Sequence, residues 1–157
     1  MYQTIALQLK TLRKKHRLTQ AELASRIGVT TRSLGRYEKQ THFIGIYPLQ
    51  SLNDQFQTTW SDWLNPTNDP ITIDYHFPSE FVLKATDEAS FYLLLGQRIA
   101  YLRKIRGFSQ RELAQRLGVS DRAIAHYEGA HRRLSLDTLI ALANELTITP
   151  YELLHEL

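Results

Sequence analysis

Apolar residues fall on one helical face at two places in the chain, ninety residues apart. The positions are Ile5, Leu9 and Leu12 in the first place and Leu95, Ile99 and Leu102 in the second. Spacings of three and four residues are typical of an amphipathic helix that packs one side against a core. We therefore expect a core-facing helix at each place.

The same offset of ninety residues relates two longer segments without a gap. Residues 12–40 read LRKKHRLTQAELASRIGVTTRSLGRYEKQ, and residues 102–130 read LRKIRGFSQRELAQRLGVSDRAIAHYEGA. Thirteen of these twenty-nine positions are identical, and most of the others keep their character. Apolar positions outside the segments match at the same offset. The pattern indicates one unit of roughly sixty residues that is present twice.

Each unit carries the signals of five short helices in the same order. In the first unit, a capping box from Thr19 to Glu22 marks the start of the second helix. Gly28 can end that helix in a left-handed conformation, and Thr30 can cap a third helix that runs to Glu38. The second unit repeats these signals ninety residues later. Fourth helices are expected at about 47–56 and 136–146, and fifth helices after Thr59 and Thr149. The sequence thus predicts an all-α fold of two five-helix units.

Residues 65–90 separate the two units, at 1–64 and 91–157, and show a different pattern. They begin with the turn-forming run NPTNDP, and apolar and polar residues then alternate from Ile71 to Phe77. This alternation is typical of a half-buried strand, and Phe81 to Leu83 could supply the second strand of a hairpin. Two alternatives are open: pairing of the first strand with its copy in another subunit, and an extended arm that lies across a domain.

Charge divides along the chain in the same three parts. Residues 1–64 carry nine Lys and Arg against four Asp and Glu, residues 65–90 carry one against five, and residues 91–157 carry nine against seven. Two basic units joined by an acidic connector are expected of a protein that binds a polyanion with both units. Ordinary solvated charge would give the same counts, so charge alone leaves both interpretations open.

Composition argues against several classes of protein. The chain has no Cys, which excludes disulfide scaffolds and thiolate metal sites and fits a reducing cytoplasm. Its first residues lack the pattern of a secretion signal, and it has no run of eighteen apolar residues, so we expect a cytoplasmic protein that does not span a membrane. The six His residues lack ligand spacing, and no nucleotide-binding or nucleophile motif occurs. We expect no metal, no cofactor and no enzymatic activity.

The run LTQAELA, followed by GVT and LGRYE, resembles the helix-turn-helix of the lambda-repressor/Cro family, also called the XRE family. The second unit, with FSQRELAQRLGVSDRAIAHYE, resembles it more closely. It continues into RRLSLDTLIALANELTITPYELL, which is similar to the family's fourth and fifth helices. The resemblance covers most of the chain and implies two tandem DNA-binding domains. Both units depart from the family where Gln40 and Ala130 stand in place of a usual glycine.

The resemblance implies that the third helix of each unit reads base edges in the major groove, which is wide enough for an α-helix. The residues expected to read bases are Thr31, Arg32, Ser33 and Arg36 in the first unit and Asp121, Arg122, Ala123 and His126 in the second. Arg32 and Arg122 are the first candidates, because arginine commonly contacts guanine through two hydrogen bonds. Phosphate contacts are expected from Gln20, Lys39 and His42 and from Gln110, Arg132 and Arg133.

The resemblance also implies one internal ion pair in each unit, between the first helix and the end of the third. The pairs are Arg13 with Glu38 and Arg103 with Glu128. We interpret both as structural rather than as DNA contacts.

The sequence therefore predicts a sequence-specific regulator that binds double-stranded DNA. Repression is favoured over activation, because blocking a promoter requires only occupancy. One chain could hold two half-sites through a connector of about twenty-two residues, which extends to roughly 70 Å, and pairing of two chains as a homodimer is also open.

The alternative is an antitoxin- or immunity-type protein, in which one unit binds DNA and the first unit or the connector binds a protein partner. The loop THFIGIYPLQ of the first unit departs from the family pattern. An apolar patch exposed by Phe43, Ile44, Ile46 and Tyr47 would favour this alternative.

Overall fold

The computed structural model describes residues 1–65 and 75–157. Within these ranges the chain forms ten α-helices and one 3-10 turn, with no strand. It divides into two compact units, Met1–Ile71 and Thr72–Leu157, and the segment 65–90 crosses this division. The all-α fold predicted from the sequence is confirmed.

The first unit consists of five helices. They are α1 (Tyr2–Lys15), α2 (Gln20–Arg26), α3 (Thr31–Glu38), α4 (Ile46–Phe56) and α5 (Trp60–Leu64). Each helix contributes at least one buried side chain to the core, in order Leu9, Leu23, Leu34, Leu49 and Trp63. The indole N–H of Trp63 donates to Oδ1 of Asn53 at 2.7 Å, so the polar group of this buried ring is satisfied.

The second unit repeats this set of helices. They are α6 (Glu88–Ile105), α7 (Gln110–Leu117), α8 (Asp121–Glu128), α9 (Leu136–Glu145) and α10 (Pro150–Leu154). The core again takes side chains from all five helices, including Leu95, Leu113, Ile124, Leu139 and Leu153. α6 has 18 residues and α1 has 14. Asp87 caps the start of α6 by accepting from the backbone N–H of Ser90.

The chain before α6 forms an arm on the second unit. Phe77 is buried, at 9% exposure, and its ring centroid lies 6.3 Å from that of Tyr101 on α6. The backbone N–H of Tyr75 donates to Oε1 of Glu152 on α10 at 2.9 Å. From Tyr75 onward, therefore, the predicted connector is part of the second unit.

The strand predicted at Phe81 to Leu83 is wrong. Ser79–Phe81 forms a 3-10 turn after Pro78 instead, because a proline presets the backbone for a turn. Residues 71–74 of the other expected strand lie outside the described residues, and residues 75–77 form no strand. The described part of the segment matches the extended arm, one of the alternatives open at the level of sequence.

Arg98 fixes the arm to α6 and α10. Its side chain is fully buried, and both Nε and Nη2 donate to the carbonyl oxygen of Phe81, at 3.1 and 2.9 Å. Nη1 donates to the carbonyl oxygens of Leu153 and His155, at 3.0 and 2.6 Å. Burial lowers the pKa of Arg98 to about 10, which leaves the guanidinium charged at neutral pH. The first unit has Gln8 at this position, so the clamp belongs to the second unit alone.

The residues that follow α3 and α8 adopt a left-handed conformation although they carry a Cβ atom. The φ angle is 61° at Gln40 and 56° at Ala130. Their backbone N–H groups donate to the carbonyl oxygens of Tyr37 and Tyr127, at 3.1 and 3.2 Å. A residue other than glycine loses roughly 1–2 kcal/mol in this conformation. The missing glycines thus leave the backbone path intact and add strain.

Replacing Ala130 by Gly should raise the stability of the second unit by roughly 0.5–1 kcal/mol, because relief of strain exceeds the added flexibility of the unfolded chain. Urea unfolding followed by circular dichroism measures this. Both Trp residues of the chain, Trp60 and Trp63, lie in the first unit, so Trp fluorescence follows that unit separately. Ala125→Gly, within α8, is the matched control and should destabilise. If Ala130→Gly destabilised the unit as much as Ala125→Gly, the inference that the backbone at Ala130 is strained would be contradicted.

Candidate nucleic-acid interface

In the first unit α2 and α3 are joined by a short turn with defined caps. Thr19 Oγ1 accepts from the backbone N–H of Glu22 at 3.2 Å, and the Glu22 carboxylate accepts from the N–H of Thr19 at 2.7 Å. Gly28 follows with φ 69°, and Thr30 Oγ1 accepts from the N–H of Ser33 at 3.0 Å to start α3. In the second unit the corresponding positions are Ser109, Gly118 and Ser120. Both copies are helix-turn-helix structures with matching caps.

A buried ion pair joins the first helix of the first unit to the end of α3. Arg13 binds both carboxylate oxygens of Glu38 through Nε and Nη2, and its Nη1 donates to the carbonyl oxygen of Leu18 at 2.8 Å. The side chains of Arg13 and Glu38 are 12% and 3% exposed. Gln20 at the start of α2 also donates its amide Nε2 to Glu38, at 2.8 Å.

The second unit contains the same four contacts. Arg103 binds Glu128 through Nε and Nη2 and donates from Nη1 to the carbonyl oxygen of Phe108. Gln110 donates to Oε2 of Glu128 at 2.8 Å. Both ion pairs expected from the sequence are therefore present. Each glutamate connects three helices, which fixes the third helix relative to the first two.

Gln20 and Gln110 were expected to contact phosphate, and the structure places them at these ion pairs. Each side chain is half-buried and uses one amide N–H on a glutamate. Because a glutamine amide has two N–H donors, a second donor is left for another acceptor. The two glutamines thus connect the structural network to the surface at the start of the second helix.

The residues expected to read bases differ in exposure. Exposed side chains are Thr31, Arg32, Asp121 and Arg122, and half-buried ones are Ser33, Arg36 and His126. Ala123 is buried, at 8% exposure, because it lies one helical turn before the buried Tyr127 on the inner face of α8. Its methyl group is therefore not available to a base edge, contrary to the expectation from the sequence.

A family model described as helix-turn-helix matches residues 9–42 and 99–153, which together make up more than half of the chain. The chain belongs to this family of DNA-binding transcription regulators, of the XRE type. One similar solved structure is the restriction-modification controller protein C.AhdI from Aeromonas hydrophila. It is 35% identical, with 41% of this chain and 97% of that chain covered and a TM-score of 0.39. No curated protein matches the chain.

The loop after α8 of this helix-turn-helix protein is fastened to the start of α6. Nη2 of Arg133 lies 2.8 Å from Oε2 of Glu88, so this phosphate candidate is paired, although its side chain is 70% exposed. The guanidinium of Arg132 lies 5.9 Å from the ring centroid of Tyr127. Of the two arginines, Arg132 is the one not held by a carboxylate among the described residues.

The first unit fastens the corresponding loop with aromatic rings. Phe43 occupies the position of Arg133 and stacks on Tyr2, with ring centroids 4.1 Å apart. Lys39 and His42, the expected phosphate contacts of this loop, are both exposed. The two loops are thus held by different chemistry at equivalent places, an ion pair in one unit and a stacked pair in the other.

The loop of the first unit does not present the apolar patch that a protein partner would need. Ile44 and Ile46 are buried, at 4% and 0% exposure, whereas Phe43 is 64% exposed. Tyr47 is half-buried. Because an extended apolar patch marks a docking surface and a single exposed ring does not, the loop gives little support to the partner interpretation.

Across 1–65 and 75–157, no helix combines the length and apolar character needed to cross a membrane. In those same ranges no group of three or more His, Asp or Glu side chains could hold a metal ion. One residue of the candidate interface was not expected from the sequence: Arg111, which lines the same cleft as Gln110 and Arg122. Comparison with Ala21 at the ninety-residue offset would have singled it out.

The ion pair makes the first unit sensitive to acid. Burial opposes ionisation of Glu38, but hydrogen bonds from Arg13 and Gln20 and the charge of Arg13 outweigh burial. The pKa of Glu38 is therefore held below the ordinary value for a glutamate. A carboxylate with a lowered pKa contributes stability above its unfolded pKa, and this contribution is lost as pH falls through the folded pKa.

The free energy of unfolding of the first unit should therefore fall as pH decreases below about 4.5. Glu38→Gln should lower stability at neutral pH, because it leaves the charge of Arg13 unpaired, and should weaken the dependence on pH. Urea unfolding followed by Trp fluorescence at several pH values tests this. Asp54→Asn, at an exposed position of α4, is the control. An unaltered pH dependence in the Glu38 variant would contradict the assignment.

Proposed function

We propose that this chain is a sequence-specific repressor that binds operator DNA with α3 and α8 in the major groove. The main observation in support is that the same network of Arg, Glu and Gln side chains holds α3 in the first unit and α8 in the second. An arginine is exposed in the first turn of both helices, Arg32 in α3 and Arg122 in α8. Repression is the simplest outcome of occupancy, and the proposal includes no catalytic step.

The side chains divide into two roles. Arg32, Arg36, Asp121 and Arg122 are the proposed base readers, with Thr31, Ser33 and His126 beside them. Asp121 can accept a hydrogen bond from the amino group of cytosine, whereas Thr31 at the equivalent position is neutral. Lys39 and Arg132 supply charge toward phosphate, and His42 lies in the same loop as Lys39. Because the two sets of readers differ, the two units should prefer different half-sites.

Selection of bound sequences from a random duplex pool is the direct test of this function. The expected result is one motif with two non-identical halves. Recovery of no motif at all would overturn the proposal. A motif recognised by one unit alone would favour the antitoxin- or immunity-type alternative, with the other unit available to a protein partner.

Replacing Arg32 or Arg122 by Ala should remove base preference at one position of the motif. The expected cost is about 1–3 kcal/mol on the selected sequence, with little change on random DNA. Lys39→Ala is the matched control, because loss of a phosphate contact weakens all sequences alike. Binding titrations on selected and scrambled duplexes measure the difference. Equal losses on both duplexes for the arginine variants would contradict base reading.

The two units should hold two half-sites from one polypeptide. Because the second unit begins by Tyr75, the connector between Asn65 and Tyr75 reaches at most about 35 Å, half of the value expected from the sequence. A connector this short limits the separation of the two units, so half-sites one helical turn apart, at ~34 Å, are favoured over distant ones.

Cutting the chain at a protease site introduced within residues 66–74 should weaken binding to the full motif by about a hundredfold, because tethering raises effective concentration. The uncut protein with the same insertion is the control. Binding to each isolated half-site should not change. A footprint over one half-site, unaffected by cleavage, would contradict two-site binding. A footprint of doubled length and a complex with two chains would indicate a homodimer.

A further inference from the structure

The start of α7 and the start of α8 form the two sides of an open cleft in the second unit. Gln110 and Arg111 line one side, and Asp121 and Arg122 line the other. Because Arg122 is a proposed base reader, this cleft lies on the face of the unit that would be turned to DNA. Arg111 is therefore close to the groove without being part of the recognition helix.

The arginines of the second unit are mostly engaged in contacts within the protein. Arg98, Arg103, Arg106, Arg116 and Arg133 each contact a carbonyl or carboxylate oxygen. Among the described residues, the side chains of Arg111 and Arg122 have no hydrogen bond and no ion pair, and Arg132 contacts only the ring of Tyr127. Arg111 and Arg122 are both exposed. An exposed guanidinium without an internal partner is available to bind a phosphate in two-pronged geometry.

Neither Glu112, the next residue in the chain, nor Asp121, which lines the same cleft, forms an ion pair with Arg111. Glu112 is committed to the capping box, where it accepts from the backbone N–H of Ser109 at 2.7 Å. Hydrogen bonding to Ser109 lowers the pKa of Glu112. Across the cleft, Asp121 Oδ1 accepts from the backbone N–H of Arg122 at 2.8 Å. Each acidic group is thus held by a backbone donor.

The first unit lacks a counterpart to this charge, since Ala21 occupies the position of Arg111 at the ninety-residue offset. Ala21 is exposed at the equivalent place in α2. The two copies therefore offer different numbers of cations at the same edge of the helix-turn-helix.

We propose that Arg111 binds a backbone phosphate beside the half-site of α8 and gives the second unit a contact that the first unit lacks. The proposal rests on the proposed function, because it requires that α8 lies in the major groove. The ligand is a DNA phosphate diester, so the contact adds affinity without base preference. The second unit then anchors the chain at a cation that has no equivalent in the first.

The test compares Arg111→Gln with Arg116→Gln in the full chain on the selected duplex. Arg116 lies on the same helix, but it pairs with Glu145 at 3.5 Å and covers the ring of Phe108. Affinity is measured from about 50 to about 200 mM salt, where each phosphate contact contributes about 0.9 to the slope of log affinity against log salt. Arg111→Gln should reduce the slope by this amount and weaken binding on the order of tenfold near 0.1 M.

The reciprocal variant Ala21→Arg should steepen the slope by a similar amount. A scan with single methylphosphonate substitutions then locates the contact. One substituted position should weaken the wild type and leave the Arg111→Gln variant unaffected. Such a position separates a direct contact from a general effect of charge.

Two outcomes would overturn the proposal. The first is a slope for Arg111→Gln equal to that of the wild type or of Arg116→Gln. The second is the absence of any methylphosphonate position that distinguishes the variant. If the wild type selects a motif and either result follows, the phosphate contact alone is lost and the proposed function stands. If the wild type selects no motif, the proposed function and this contact fail together.

Discussion

The buried carboxylate at the end of α3 and of α8 is the group on which the rest of the structure depends. Glu38 is 3% exposed and receives hydrogen bonds from Arg13 on α1 and Gln20 on α2. A charge in such a place is tolerated only when its partners are all present, and removal of one partner costs several kcal/mol. The orientation of α3 relative to α1 and α2 is thus set by Arg13 and Gln20, which meet at the carboxylate of Glu38.

Both units share this ion-pair network, here called the frame, which consists of Arg13, Gln20 and Glu38 in the first unit and Arg103, Gln110 and Glu128 in the second. Outside the frame the two units differ at positions related by the ninety-residue offset. A Cβ atom at Gly96 would lie 2.5 Å from the carbonyl oxygen of Glu128, so α6 and α8 pack at a distance that a side chain would prevent. The first unit has Ala6 at the same position. Arg98 adds an arm to the second unit, where the first has Gln8. The two units thus share the ion-pair network and differ in the residues around it.

The frame could be predicted from the sequence because its signals are local or repeated. Capping residues, glycines and the two ion pairs occupy the same places in both copies. The absence of a strand at Phe81 could not be predicted from the sequence. The carbonyl oxygen of Phe81 accepts a hydrogen bond from Arg98, which lies seventeen residues further along the chain. The burial of Ala123 depends on how α8 rotates against its neighbours, and three-residue spacing does not fix that rotation. Both wrong predictions, the strand at Phe81 and the exposure of Ala123, concern features that tertiary packing determines.

The proposed base readers are separate from the ion-pair networks that hold α3 and α8. Arg32 and Arg122 are exposed and make no contact with the glutamates, so their replacement strands no buried charge, and under the proposed function it changes base preference alone. Gln20 and Gln110 are different, because each stabilises a buried carboxylate and lies at the start of the second helix. Under the proposed function, a change at either glutamine therefore affects both folding and DNA affinity. The proposed base readers can vary, whereas the glutamines remain constrained by the core.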